Sequence, residues 1–139
     1  MAQRYVGVWD CGPTVMHGAN SDVSRTTRTI NNRDGSYSTL STSLITPHGG
    51  TPVTNLDITK GGWQIVGEVV TSTVEDVMFV SSTDPAYSRD EGQRVLEAEA
   101  KKRSVFESRI LEIDDRSSRA VPVSPKDKEA EVVSTCKRV

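Results

Sequence analysis

A long β-hairpin with few apolar side chains constrains the fold of this chain more than any other segment. Two Thr- and Ser-rich segments, residues 23–30 and 36–46, flank the dipeptide Asp34-Gly35. This dipeptide supplies the positive φ angles that a tight hairpin turn requires, and threonine suits a pleated surface. The sequence therefore predicts an antiparallel ribbon, and with it a fold built on an antiparallel sheet.

The hairpin also limits how much of the chain can form a core. Between residues 24 and 46 the apolar side chains are Ile30, Tyr37, Leu40, Leu44 and Ile45, so one face is expected to meet water or polar groups. In the whole chain, 31 of 139 residues are Leu, Ile, Val or Phe. That share is only slightly above the ~20% below which chains tend to be disordered, which predicts a small core and a segment outside it.

The core is predicted over residues 63–80, where β-branched and aromatic residues occupy both faces of two strand-like segments. A Gly- and Pro-rich stretch over residues 47–62 precedes them and is expected to interrupt regular structure at both ends of a short strand-like segment, residues 53–58. Near the N-terminus, alternation from Tyr5 to Trp9 predicts a further strand, and the Gly12-Pro13 dipeptide is expected to end it.

One long amphipathic helix is predicted over residues 84–113. Ser88 and Glu91 have the spacing of a capping box at a helix N-terminus, and Asp84-Pro85 is an alternative start. Apolar residues recur every three or four positions up to Ile113, which indicates a narrow apolar stripe along one side.

Residues 114–139 are predicted to be an extended C-terminal arm, because they contain eleven charged side chains, two prolines and few large apolar groups. Together these features predict an α+β fold. Its antiparallel sheet has about five or six strands and its domain spans residues 1–113, with the arm at 114–139 outside it.

The two cysteines, Cys11 and Cys136, are 125 positions apart. Two cysteines form neither a disulfide framework nor a four-ligand zinc cage, so free thiols are expected, with no metal and no cofactor. No secretory signal and no apolar run of the ~20 residues that span a bilayer is readable. We expect a cytoplasmic or virion protein with no membrane partner.

Residues 11–20 carry a local resemblance. The run Cys11-Gly12-Pro13-Thr14-Val15, followed by His17, is similar to the start of cysteinyl-tRNA synthetases, which use such a cysteine as a zinc ligand before a His-Ile-Gly-His motif. The resemblance implies a metal-ligand role for Cys11 and a phosphate contact for His17. The chain departs from the pattern because it has no second histidine beside His17 and no Lys-Met-Ser-Lys-Ser segment, so no family is assigned.

A thiol-dependent enzyme is one hypothesis for the function. Asp10, Cys11 and His17 lie in one turn-rich segment and include the residue types of a thiol nucleophile, its base and an orienting carboxylate. No other catalytic set is apparent, and no small-molecule substrate is identified.

Nucleic-acid binding by the 23–46 hairpin is a second hypothesis. Arg25, Arg28 and Arg33 lie on it and are suited to contact a phosphate backbone. The net charge of −2 argues against a globally basic nucleic-acid binder, and Tyr37 is the one aromatic residue available there for base stacking.

The preferred hypothesis is a non-enzymatic structural protein that self-associates, such as a coat or particle subunit of a virus or phage. A small core, a Ser/Thr-rich ribbon and a long arm suggest that copies of the chain complete one another's burial, as a homo-oligomer. The residues predicted for this assembly interface are Val105, Phe106, Ile110 and Ile113.

Overall fold

The structure, a computed structural model, describes residues 2–123 and 133–139 and forms a closed antiparallel β-barrel of eight strands. The elements in chain order are α1 (Ala2–Tyr5), β1 (Gly7–His17), β2 (Ser21–Asn31), β3 (Ser36–Pro47), β4 (Val53–Val66), β5 (Val69–Ser82), α2 (Arg89–Lys102), β6 (Val105–Ile113), β7 (Ser117–Pro122) and β8 (Ser134–Arg138).

Each strand pairs with its neighbour in the chain, and β8 returns to pair with β1. The predicted α+β class with five or six strands is therefore wrong, and the fold is mostly β. The antiparallel pairing itself is as predicted. In a closed barrel only every second residue of a strand faces the interior. Few large apolar residues are therefore needed to build it.

The 23–46 hairpin is confirmed. Strands β2 and β3 pair in unbroken register from Ser21 opposite Pro47 to Asn31 opposite Tyr37. Gly35 in the connecting turn has a φ of 87°, in the region where glycine carries no steric penalty.

The long helix predicted over residues 84–113 is wrong in extent. Ser88 is the N-cap, as its spacing to Glu91 predicts, and its side chain accepts a hydrogen bond from the Glu91 amide. The helix ends at Lys102, and residues 105–113 form strand β6 instead. Apolar residues three and four apart suit a helix, but Phe106, Ser108 and Ile110 also alternate, and pairing with β5 and β7 selects the strand.

No helix in the described part of the chain is both long enough and apolar enough to cross a membrane.

Within residues 114–123 and 133–139, the predicted C-terminal arm is replaced by two strands that close the barrel, and the remainder of the predicted arm, residues 124–132, lies outside the described residues. Strand β7 pairs with β6 and β8, and β8 pairs with β1. Composition is a poor guide here because the inward positions of these strands are small, such as Ser118, Ala120 and Ser134. Backbone hydrogen bonds to the neighbouring strands, rather than a large apolar face, fix β7 and β8 in the barrel.

Two predicted interruptions are crossed by continuous strands. Strand β1 passes through the cis Gly12–Pro13 bond, with a change of register between Cys11 and Thr14. Strand β4 passes through Gly61-Gly62, where a Cβ on Gly61 would overlap the Thr73 carbonyl oxygen of β5. Glycine at that position permits close approach of two strand backbones rather than a break.

Helix α2 covers the part of β5 that has no strand on its second side. Strand β6 pairs only with Val69–Thr73, and beyond this the side chain of Gln93 takes over. Its Oε1 accepts from the Phe79 amide at 2.8 Å and its Nε2 donates to the Val77 carbonyl at 2.9 Å. We call the barrel end next to α2 the helix end.

The opposite end, called the Trp9 end, is closed by α1 and by the last residue of β8. Trp9 is 3% exposed, and its indole Nε1 donates to the Tyr5 carbonyl at 3.0 Å. The guanidinium of Arg138 lies 4.2 Å from the centroid of the Trp9 ring. Val70 and Ile110 are also buried and lie toward this end of their strands.

Candidate functional site in the barrel interior

The barrel contains a cavity of about 910 Å³ that is open to solvent, and all eight strands and α2 contribute side chains to it. Eight strands leave an interior that side chains can fill or that one small ligand can occupy. Here the inward side chains of the long hairpin are mostly Thr and Ser, which are too short to fill the space. The Ser/Thr-rich composition of the hairpin is therefore the direct cause of the cavity.

Strands β2, β3 and β4 form one side of the cavity, the polar wall. All of its residues carry a hydroxyl or a charge, and they are Arg25, Thr27, Thr29, Tyr37, Thr39, Ser41, Asp57 and Thr59.

The polar wall is a two-dimensional array, because its residues lie opposite one another across the strands. Thr39 lies between Thr29 on β2 and Thr59 on β4, and in the next row Ser41 lies between Thr27 and Asp57. The hydroxyls of Thr29 and Thr39 are hydrogen-bonded to each other at 2.8 Å. Neighbouring strands lie ~4.8 Å apart, so the array presents hydrogen-bonding groups over three strands.

Strands β5 to β8 form the opposite side, the apolar wall. Most of its residues are apolar, namely Val70, Val74, Val77, Phe106, Ile110, Ile113 and Ala120, and the polar residues among them are Ser72, Ser108, Ser118, Ser134 and Arg119. The disulfide between Cys11 and Cys136 lies next to these residues and also lines the cavity.

Most charged residues of the cavity lie toward the helix end, whereas Arg119 lies on β7, where its guanidinium pairs with the Glu112 carboxylate at 3.4 Å. Arg25 is exposed at the helix end and its Nε donates to Ser43 Oγ at 3.3 Å. Burial raises the pKa of the Asp57 carboxyl, the Arg25 charge lowers it in part, and Glu99 on α2 raises it further. Among the described residues, the buried Asn55 Oδ1 has no hydrogen-bond partner.

Two tyrosines lie toward the Trp9 end of the cavity. The Tyr37 hydroxyl donates to the Thr73 carbonyl at 3.0 Å, and the Tyr5 ring lies 5.0 Å from that of Trp63. Burial raises the pKa of both phenols, so both are neutral donors at physiological pH.

A second depression, of about 480 Å³, lies on the outer surface near the ion pair between Asp10 and Arg28. Arg28 donates two hydrogen bonds to the Asp10 carboxylate, at 2.7 and 2.8 Å. Their hydrogen bonds lower the pKa of Asp10 and raise that of Arg28. Because these charges satisfy each other, this depression offers less to a ligand than the interior does.

The three arginines predicted to contact nucleic acid do not share one surface. Arg25 lines the cavity, Arg28 is paired with Asp10 on the outer face, and Arg33 lies in the turn at the Trp9 end beside Gln3. Nucleic-acid binding by the hairpin stays a prediction without a continuous basic surface to support it.

The residues predicted for an assembly interface belong to β6 rather than to a helix. Ile110 is 6% exposed, and Phe106 and Ile113 line the cavity. Val105, 50% exposed, is the one of the four outside the cavity lining. Their role between copies of the chain remains untested.

The prediction of two free thiols is wrong, because Cys11 and Cys136 form a disulfide. They are far apart in sequence but directly opposite each other where β1 pairs with β8. In this state Cys11 is neither a thiolate nucleophile nor the zinc ligand that the synthetase-like segment implies. His17 lies six residues further along β1, roughly 20 Å away at ~3.3 Å per residue, and hydrogen-bonds to Asp22.

No group of His, Cys, Asp and Glu within residues 2–123 and 133–139 is arranged to hold a metal ion. The site that sequence reasoning missed is the cavity itself. Its signal was present as hydroxyl residues at every second position of the hairpin, Thr27 and Thr29 on β2 and Thr39 and Ser41 on β3. From the sequence alone this face is expected to meet water or polar groups, and no local pattern places it inside a barrel.

Neither the models of known protein families nor the curated proteins include a match to this chain.

Proposed function

We propose that the protein binds one small organic molecule inside the barrel. The observation that carries the proposal is the cavity of about 910 Å³, lined by hydroxyl-bearing and charged side chains on one wall and mainly by apolar side chains on the other. Ligand sites in proteins have volumes of ~300–1,000 Å³ and combine apolar surface with a few placed polar groups.

The position of the polar side chains supports this proposal over a purely structural role. Polar groups inside a protein cost free energy unless they are hydrogen-bonded, so a barrel selected only for stability would gain from an apolar filling. Water or a ligand must meet the hydroxyl array instead. A ligand that bonds to the array replaces water without loss of hydrogen bonds and buries the apolar wall as well.

The proposal is tested with the fluorescent probe 1-anilinonaphthalene-8-sulfonate, which brightens in apolar surroundings. We expect one probe molecule per folded chain. Thr39→Trp, which places a large ring in the middle of the polar wall, is expected to weaken binding at least tenfold. Direct excitation of the probe separates its signal from that of the added indole.

Leu40→Trp is the matched control, because Leu40 is the next residue of β3 and is 41% exposed on the outer face. It is expected to leave probe binding unchanged. If both variants weaken binding equally, or if neither does, the probe is outside the barrel and the proposal is wrong.

Self-association is retained as a second candidate, because one observation favours it. Leu40, Ile58 and Met78 lie directly opposite one another across β3, β4 and β5, and Leu40 and Met78 are 41% and 47% exposed. An apolar row of this kind on an outer face suits a protein contact. Light scattering after size-exclusion chromatography tests it, and a 15.2 kDa species at micromolar concentration would exclude it.

A further inference from the structure

We propose that the ligand is facially amphipathic: a rigid molecule with hydroxyl or other hydrogen-bonding groups along one long face and hydrocarbon along the other. This inference rests on the proposed function and adds the chemical class of the ligand. It excludes molecules with one polar head and a long apolar tail.

The first step is the extent of the polar wall. Its residues run along the barrel from Arg25, toward the helix end, to Tyr37, at the Trp9 end. Across the barrel they cover three strands, about 10 Å at ~4.8 Å per strand. A ligand with a single head group would satisfy one corner of this surface and lay hydrocarbon along the remaining hydroxyls.

The second step is that the apolar wall runs in the same direction. Val77 lies toward the helix end of β5 and Val70 toward its Trp9 end, and Ile113 ends β6 at the Trp9 end. The polarity of the interior therefore changes from one side of the barrel to the other, and not from one end to the other. Four serines and Arg119 interrupt the apolar wall, whereas no apolar residue interrupts the polar wall.

The third step is energetic. A hydroxyl that loses water without gaining a partner costs ~1–3 kcal/mol, so an alkyl chain placed against several threonines would forfeit much of the gain from burying it. A molecule whose own hydroxyls face the array avoids this cost, and its hydrocarbon face can contact the apolar wall.

Cholate and dodecanoate are suitable probes, because both carry a carboxylate but cholate has its hydroxyls on one face of a rigid ring system. We expect cholate to displace 1-anilinonaphthalene-8-sulfonate and to bind at least tenfold more tightly than dodecanoate in calorimetric titrations.

The hydroxyl array is tested with Thr27→Val and Thr59→Val, which change shape little and remove one hydroxyl each. Each is expected to weaken cholate binding roughly fivefold and to change dodecanoate binding less than twofold. Thr26→Val is the matched control, because Thr26 is exposed and lies outside the cavity lining. Thermal unfolding verifies that all three variants fold.

The outcomes separate the inference from the proposed function. The fluorescent probe could bind in the interior while dodecanoate competes as well as cholate, or while cholate does not compete at all. In either case the inference of a facially amphipathic ligand is wrong, but the proposal of ligand binding stands. If Thr27→Val and Thr59→Val act no differently from Thr26→Val, the class is also wrong. If no probe binds in a manner sensitive to Thr39→Trp, both proposals fail.

Discussion

Arg138 joins three chain segments at the Trp9 end of the barrel. Its guanidinium donates hydrogen bonds to the carbonyls of Arg4, Val6 and Asp115 at 2.6, 2.8 and 2.8 Å and covers the Trp9 ring. Hydrogen bonds from a charged donor contribute ~1.5–3 kcal/mol each, less where water reaches them, and the ring contact adds ~0.5–2 kcal/mol. One side chain thus connects α1 and the β6–β7 turn to β8.

We expect Arg138→Ala to lower the free energy of unfolding by about 2 to 3 kcal/mol in urea denaturation, because it removes three hydrogen bonds to carbonyls and uncovers the face of the Trp9 ring. Lys137→Ala is the matched control, since Lys137 is the neighbouring exposed cation, and it should change stability by less than about 0.5 kcal/mol. Equal effects of the two substitutions would show that charge, and not the Arg138 contacts, matters at this position.

Asp57 is a second residue whose position has a measurable consequence. Burial raises its pKa above the ordinary value of 3.8, so the folded protein binds this proton more tightly than the unfolded chain does. The free energy of unfolding therefore falls as pH rises from 3.8 through the raised pKa of Asp57. Above the raised pKa the carboxyl is ionised, and the destabilisation caused by burying its charge is complete.

We expect Asp57→Asn to be more stable than the parent protein at pH 7, and the difference to disappear as pH falls below about 4. Urea midpoints at the two pH values measure this. Asp76→Asn, which removes an exposed carboxylate from the same sheet, is the matched control and should change stability at pH 7 by less than about 0.5 kcal/mol. Lower stability of Asp57→Asn at pH 7 would mean that attraction to Arg25 outweighs burial.

At the scale of elements, α2 is the part whose packing most depends on one residue. A Cβ on Gly92 would lie 2.5 Å from the Phe79 ring, so the helix lies directly on β5 only because that position is glycine. The close contact brings Gln93 within hydrogen-bond distance of the β5 backbone. The sequence offers Ser88 as one of two possible starts of this helix, beside Asp84-Pro85, and its end and its packing depend on β5 and β6.

Gly92→Ala is expected to destabilise the protein by about 1 to 3 kcal/mol through overpacking, although alanine favours a helix by ~1 kcal/mol over glycine. The double variant Gly92→Ala with Phe79→Leu relieves the overlap and should be less destabilised than the sum of the two single variants. Denaturant unfolding of all four proteins gives this coupling energy. A gain of stability in Gly92→Ala alone would show that α2 adjusts freely on β5.

For the whole molecule, closure of the barrel depends on pairing between its first and last strands. Strands β1 and β8 pair over three positions, Trp9 to Cys11, and the disulfide lies at the last of them. It closes a loop of 125 residues. A disulfide over a loop of this length is expected to stabilise the folded state by ~4–5 kcal/mol, because it lowers the entropy of the unfolded chain, and disulfides in general contribute ~0–5 kcal/mol.

We expect Cys11→Ser with Cys136→Ser to lower the free energy of unfolding by about 2 to 5 kcal/mol, because the open chain gains entropy when it unfolds. The parent protein in dithiothreitol is the matched control and should lose a similar amount, whereas reductant should not affect the double variant. Equal stability of the oxidised and reduced parent proteins would contradict this role of the disulfide.

Elements that depend on neighbouring residues can be predicted from the sequence, whereas elements that depend on pairing with distant strands cannot. The 23–46 hairpin is set by neighbouring residues and is predictable from them, and the Ser88 cap is one of the two helix starts that local sequence offers. Residues 105–113 suit both a helix and a strand, and contact with β5 and β7 decides between them. Composition predicts an arm over residues 114–139 because it does not reveal that β7 and β8, within the described part of this range, each pair with strands on both sides.

The candidate site follows the same division. The sequence by itself determined that β2 and β3 carry short hydroxyl residues at alternate positions, because side chains of a strand alternate between its two faces. Only the tertiary structure decided that this hydroxyl face is the inside of a barrel, since closure depends on pairing between β1 and β8 at opposite ends of the chain. The same long-range pairing brings Cys11 to Cys136, and no local pattern of residues encodes it.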